Sequence, residues 1–297
     1  MSFFKKIFSK EKKETLDKGL EKTKSNFFGK LSKAVAGKSK VDDDVLDNLE
    51  EVLVSATRAN KKTPVAFTNI TKKEIESKNL GQDLPILLNY LPSVVTTSDA
   101  GAGIGYTGIR VRGVSAQSTN ITINGIPYND AESLGTFWVD LPDFASSVES
   151  LQLQRGVGTS TNGSGAFGAS INILTDAISK DSQAEISNTF GSYNTLKHNL
   201  KFSTGLLGSN IEISGRLSQI KSDGYIDRAE SDLKSYFLQG AYSDDNTLIK
   251  MLAFGGHEIT YQAWNGIDAE TLKNNRTFNP SGLYTDDDGM IKFHKNA

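Results

Sequence analysis

The sequence predicts an α+β chain whose character changes twice along its 297 residues. Three observations predict it. Residues 1–50 carry apolar side chains at helix-face spacings. Residues 51–178 interleave β-branched runs with a helix-capping pattern and glycine loops. From 179 onward, apolar and polar residues alternate between turn signals. The expected order is N-terminal helices, then a small mixed α/β domain, then antiparallel strands.

Composition narrows the classes. Net charge is −2 and 37% of residues are hydrophobic. No apolar run reaches the length of a transmembrane helix, whereas membrane β-strands leave only a weak hydropathy signal and stay open. The absence of cysteine excludes disulfides and thiolate metal sites. His198, His257 and His294 are widely spaced, so no metal site or other cofactor is expected, and nucleic acid is not an expected partner. The charge is unevenly laid out: residues 1–40 hold twelve lysines against four acids, and Asp42, Asp43, Asp44, Asp47, Glu50 and Glu51 then reverse the sign.

Each element has a local reason. Leu16 and Leu20, then Phe27, Leu31 and Val35, then Val45, Leu46 and Leu49, mark helix faces, with a break at Gly37. Phe3, Phe4, Ile7 and Phe8 among lysines make a small amphipathic patch. Residues 64–70 read as a strand. Thr71 with Glu74 three residues on is a capping-box pattern that opens a short helix. A second helix is expected from Asp83 to Tyr90, ending before Pro92, and 93–97 is β-branched. Further on, strands are expected at 184–190, 195–204, 210–221, 233–242 and 247–257, lengths suited to tilted bilayer-spanning strands. Residues 268–288 read as a long polar loop with no clear strand after it.

The most specific stretch is TGIRVRGVSAQSTNITINGIPYNDAES, which begins at Thr107. It holds Ile109-Arg110-Val111-Arg112-Gly113 and then Ile121-Thr122-Ile123-Asn124-Gly125-Ile126-Pro127. VESLQLQRGVGT from Val148 and SGAFGASINI from Ser164 follow in order. Together these segments resemble the plug domain of TonB-dependent outer-membrane receptors. The resemblance implies a plug over 51–178 and, over 179–297, the first strands of an incomplete outer-membrane β-barrel that meets lipid. It implies a receptor fragment, not an enzyme, serving energy-coupled uptake of a large scarce ligand of the siderophore, cobalamin or glycan class. It also implies TonB's periplasmic domain as partner, and a cell outer-membrane location. No apolar signal-peptide core follows the basic start, so the chain as written is expected in the cytosol or on the inner-membrane face.

Candidate sites follow from the same comparison. Glu51, Val52, Leu53, Val54, Ser55, Ala56 and Thr57 resemble the Ton box, an extended peptide suited to adding a strand to a partner's sheet edge; they also fit the end of the preceding acidic helix. Arg110 and Arg112, on alternate strand positions, and Arg155 are expected to anchor plug to barrel through carboxylates, with an ordinary strand-surface salt bridge as the plainer reading. Gly101, Gly103, Gly105 and Tyr106 are candidates for a loop on the ligand-facing side. Gly103 to Gly108 spells G-x-G-x-x-G, but a strand-like run follows it, which argues against a dinucleotide site. No catalytic constellation is visible.

NFFGKLSKAVAGKSKVDDDVLDNLEEVLVSA, from Asn26 to Ala56, resembles the N-terminal helices of the bacterial signal-recognition-particle receptor GTPase. Residues 1–50 are thus expected to be a basic head from that family, and a membrane-targeting helical module is the alternative function. The GTPase chemistry is absent from the motif, because a P-loop ending at Gly37-Lys38-Ser39 would need glycine where Ser32 stands. Both resemblances meet within Leu49 to Thr57, and the sequence stops inside a barrel; a chimeric reading frame with its seam there is expected.

Overall fold

The computed structural model describes residues 58–157, 167–244 and 247–293. The helical head, the Ton-box-like residues Glu51 to Thr57 and the expected seam lie outside the described residues.

The first unit is a mixed sheet. Strand β1 (Ala66–Thr71) runs into helix α1 (Lys72–Glu76), where the Thr71 amide and hydroxyl both donate to Glu74 Oε2 at 2.8 and 2.7 Å. Helix α2 (Leu84–Leu87) is shorter than expected. Strands β2 (Val94–Ser98) and β3 (Thr107–Val111) form a separate antiparallel hairpin. Strands β4 (Thr119–Ile123), β5 (Ile126–Pro127), β6 (Val148–Arg155) and β7 (Ala169–Thr175) join β1 in the order β1-β6-β7-β4-β5, with β4 parallel to β7 and the other pairs antiparallel. One face of this sheet is apolar: Leu151, Leu153, Ile171, Ile173, Ile121 and Ile123 pack with Leu88, Val111 and Phe144. The opposite face is polar yet buried. Gln152, Gln154, Asn172 and Thr122 bond to one another and to the chain at Ala59.

The second unit is an antiparallel meander of β8 (Gln183–Gly191), β9 (Thr195–Ser203), β10 (Ile211–Ser222), β11 (Ser231–Ser243) and β12 (Leu248–Ile259). Its faces invert the usual rule. Ile211, Ile213, Leu217, Tyr236, Leu238 and Met251 are exposed, whereas Glu212, Ser214, Arg216, Ser218 and Gln239 are buried against the first unit. A sheet apolar outside and polar inside is built for lipid on one side and a polar lumen on the other.

Beyond the meander, residues 268–288 are not a plain loop. Helix α3 (Ala269–Asn274) is capped by Asp268, and β13 (Leu283–Thr285) pairs with β14 (Ile291–Phe293). The expectation of no later strand is corrected. The hairpin is held locally by Lys292 on Asp286 and by the Arg228 guanidinium stacked over Phe293, contacts that alternation cannot reveal. Among the described residues, no helix is long and apolar enough to cross a membrane, which says nothing of a β-barrel.

Candidate functional site

The two units meet through a buried charge cluster. Asp143 sits in a left-handed turn (φ 52°) between Pro142 and the short 3-10 turn Phe144–Ser147. That conformation, which aspartate tolerates better than most residues, delivers the carboxylate to the strand wall. Lys197 Nζ lies 2.6 Å from Oδ1 and Arg216 Nη1 3.3 Å from Oδ2. Asn199 and Ser218 each donate to Oδ2 at 2.6 Å, and Ser146 donates to Oδ1 at 2.6 Å. Four of these five donors come from β9 and β10. Burial pushes the Asp143 carboxyl up, but Arg216 and Lys197 outweigh it and hold its pKa at about 2. Arg216 also reaches Ser147 and Ser235, so every face of the pair is hydrogen-bonded.

Asp176, just past β7, makes a second contact. Its Oδ1 pairs with Lys72 at 3.0 Å and Lys201 at 2.8 Å, and its backbone carbonyl accepts from Gln239 at 3.1 Å. Phe144 adds an apolar contact to Phe237 and Phe254, at centroid distances of 5.9 and 5.4 Å. A polar cavity of about 440 Å³ lined by Lys72, Asp176, Lys201, Glu212 and Arg216 lies alongside.

The loop 99–106 is fixed, not free. The Tyr261 hydroxyl, beyond β12, accepts from the amides of Ala100 and Tyr106 at 3.1 and 3.3 Å and donates to the Ile104 carbonyl at 3.2 Å. Burial raises its pKa to about 12, so it keeps the proton it donates. The amides of Tyr225 and Ile226 donate to the Ala100 carbonyl. Gly101 and Gly105 hold positive φ and lie against Tyr225 and Tyr261, whereas Gly103, also at positive φ, lies against Gln82 and Ile86. Tyr106 packs edge-on to Tyr261 and Trp264. Strand β3, not a helix, follows the G-x-G-x-x-G stretch. Asp83, whose amide donates to the Gly103 carbonyl at 2.9 Å, is 2% exposed; its Oδ2 accepts from Thr107, and burial raises its pKa well above the usual carboxylate range.

The three arginines stand elsewhere. Arg110 is exposed on β3. Arg112 has left the strand at φ 56°, so the two do not share a strand face. Arg155 donates to Thr68 at 2.9 Å within the plug sheet. In the contact described, the carboxylates belong to the plug and the cations mostly to the wall. Asp143 carries no motif; only the Leu-Pro-Asp turn before β6 marks it. Arg58 was also missed: its guanidinium donates to Ser150 Oγ and to the carbonyls of Ser150 and Asn172, clamping the start of the described chain across β6 and β7. Among the described residues, no group of three or more His, Asp or Glu is placed to hold a metal.

A packed domain whose carboxylates are gripped by strands that are apolar on their far face has the arrangement of a plug seated against part of a barrel wall. Residues 59–170 match the family model of the TonB-dependent receptor plug domain. It is 30% identical over 180 residues to the vitamin B12 transporter BtuB of Vibrio vulnificus, covering 59% of this chain and 28% of the relative. The ferric citrate transporter FecA shares the fold at a TM-score of 0.58 and 17% identity, over 82% of this chain and 37% of that one. A separate likeness, 38% over 92 residues, links the chain to the signal recognition particle receptor FtsY of Bacillus subtilis, over 27% of this chain and 26% of the relative. The chain thus spans 26–37% of the length of these three proteins.

Proposed function

We propose that the chain supplies the plug and first wall strands of an outer-membrane receptor that admits a large scarce ligand, of the siderophore, cobalamin or glycan class, when TonB acts on the plug. The observation that carries this reading is Asp143, buried among Lys197, Asn199, Arg216 and Ser218. Such a contact holds the plug in the lumen by polar bonds, and polar bonds can exchange for water during transport without baring apolar surface. The partner-binding segment in this reading is Glu51 to Thr57. Asp143 and Asp176 join plug to wall in this reading, with Arg110, Arg112 and Arg155 kept as candidates for anchoring to further barrel strands. The loop Gly101 to Tyr106 remains the ligand-facing candidate, held under Tyr261 and Trp264.

Uptake of radiolabelled cobalamin, a ferric siderophore and an oligosaccharide by cells carrying the receptor tests this. One class is expected to accumulate and to stop when the proton gradient is collapsed; uptake indifferent to the gradient would refute energy coupling. A peptide covering Leu49 to Asn60 is expected to bind TonB's periplasmic domain weakly. Val54→Pro, which removes a main-chain donor, is expected to abolish binding in a calorimetric titration.

The two unrelated likenesses also support a chimeric reading frame. Long single-molecule reads showing one uninterrupted gene, with this head and a full barrel, would refute it.

A further inference from the structure

The outward face of the meander carries a polar row, next to a mixed row of Phe190, Leu196, Lys221, Asp232 and Ile259 at the strand ends. The registers align Asn188 with His198, His198 with Gln219, Gln219 with Lys234, and Lys234 with His257, so five strands present five polar side chains at one level. The next row toward the other end of the strands is Ile186, Leu200, Leu217, Tyr236 and Gly255, in the same registers. An open depression of about 430 Å³ crosses the boundary, with Ile186, Leu200 and Leu217 along it and Asn188, His198, Gln219 and Lys234 at its polar side.

The charge at this level favours an anion. Asp232, on the adjoining row, pairs with Lys221 at 3.0 Å, accepts from the Gln219 amide at 2.8 Å and also feels Lys234; Glu258, which feels His257, alternates to the opposite face of β12. His198 Nδ1 is bonded to Asn188 Oδ1 at 2.6 Å, and the residue is exposed. Lys234 and His257 are exposed beside each other on paired positions. Lysine on a lipid face costs several kcal/mol at mid-bilayer and little at the interface, so this row marks the edge of the apolar band. Basic clusters at that level bind lipid headgroups.

We propose that this row binds the headgroup phosphate of an anionic membrane lipid, with Lys234 and His257 on the phosphate and an acyl chain lying over Ile186, Leu200 and Leu217. The proposal rests on the barrel reading above, but it is tested without transport. The full chain, purified in a nonionic detergent, is mixed with lipid A or phosphatidylcholine and examined by native mass spectrometry. Lipid A is expected to be retained at least fivefold over phosphatidylcholine. Lys234→Gln with His257→Gln is expected to remove that preference, Lys234→Arg to keep it, and Lys73→Gln, exposed on the plug, to leave it unchanged. Equal retention of the two lipids, no retention of lipid A, retention unaffected by the double substitution, or displacement by 10 mM inorganic phosphate alone would each overturn the proposal. Failure of ligand uptake with lipid preference intact would count against the receptor reading alone.

Discussion

Removing the Asp143 carboxylate would leave Lys197 and Arg216 buried without their counter-charge. Asp143→Ala is expected to cost about 3–5 kcal/mol, measured by urea unfolding of the full chain in detergent. Asp143→Asn keeps the turn and isolates the charge. Because the folded pKa is depressed, to about 2, the carboxylate's contribution is present above about pH 4 and fades as pH falls toward 2. It is worth roughly 2 kcal/mol, and the Asn variant should lack this acid dependence. Asp83 has the opposite sign. Its folded pKa is raised by burial, so wild type loses stability as pH climbs above about 4. Asp83→Asn is therefore expected to gain on wild type between pH 4 and 8; a gap that does not widen with pH would refute the buried-carboxyl account.

At the scale of elements, the glycine loop and the chain beyond β12 form one contact. Tyr261→Phe would strip three backbone groups of their partner, at about 1–3 kcal/mol. The loss should appear locally, as faster amide exchange at Ala100 and Tyr106, while amides of β6 and β7 stay protected. Gly105→Ala should act similarly, since φ +89° is unfavourable for alanine and its Cβ would lie 3.0 Å from the Tyr261 hydroxyl. The strands themselves were legible. Alternation and turn residues placed β8 to β12 within about three residues of their observed ends, because period-two burial is a local property. Helix α2 is shorter than expected because the amides of Leu88, Asn89 and Leu91 bond to carbonyls three residues back, closing turns, and Asn89 and Tyr90 are weak helix formers. The pairing β13 with β14 was missed because each strand has three residues, too few for a pattern.

At the scale of the whole molecule, the plug has an apolar core of its own and the meander does not. Among the described residues, β8 and β12 leave unpaired sheet edges, which aggregate in water and are costly in lipid. Limited proteolysis without detergent is expected to leave a plug fragment ending between Thr175 and Gln183. Adding detergent above its micelle concentration should extend protection into β8 to β12. A stable strand fragment outlasting the plug would contradict this division.

The sequence by itself determined the plug motifs and the alternating strands of the meander, because motif strings and alternation are written in neighbouring residues. It could not determine which charges join plug to wall. Arg110 and Arg112 looked like a pair because they are two residues apart, yet one left-handed backbone angle at Arg112 takes them off a common face. Asp143 meets Lys197 and Arg216 across more than fifty residues. Only the tertiary structure brings them together, by seating the Leu-Pro-Asp turn against β9 and β10, where burial strengthens the attraction that water would screen.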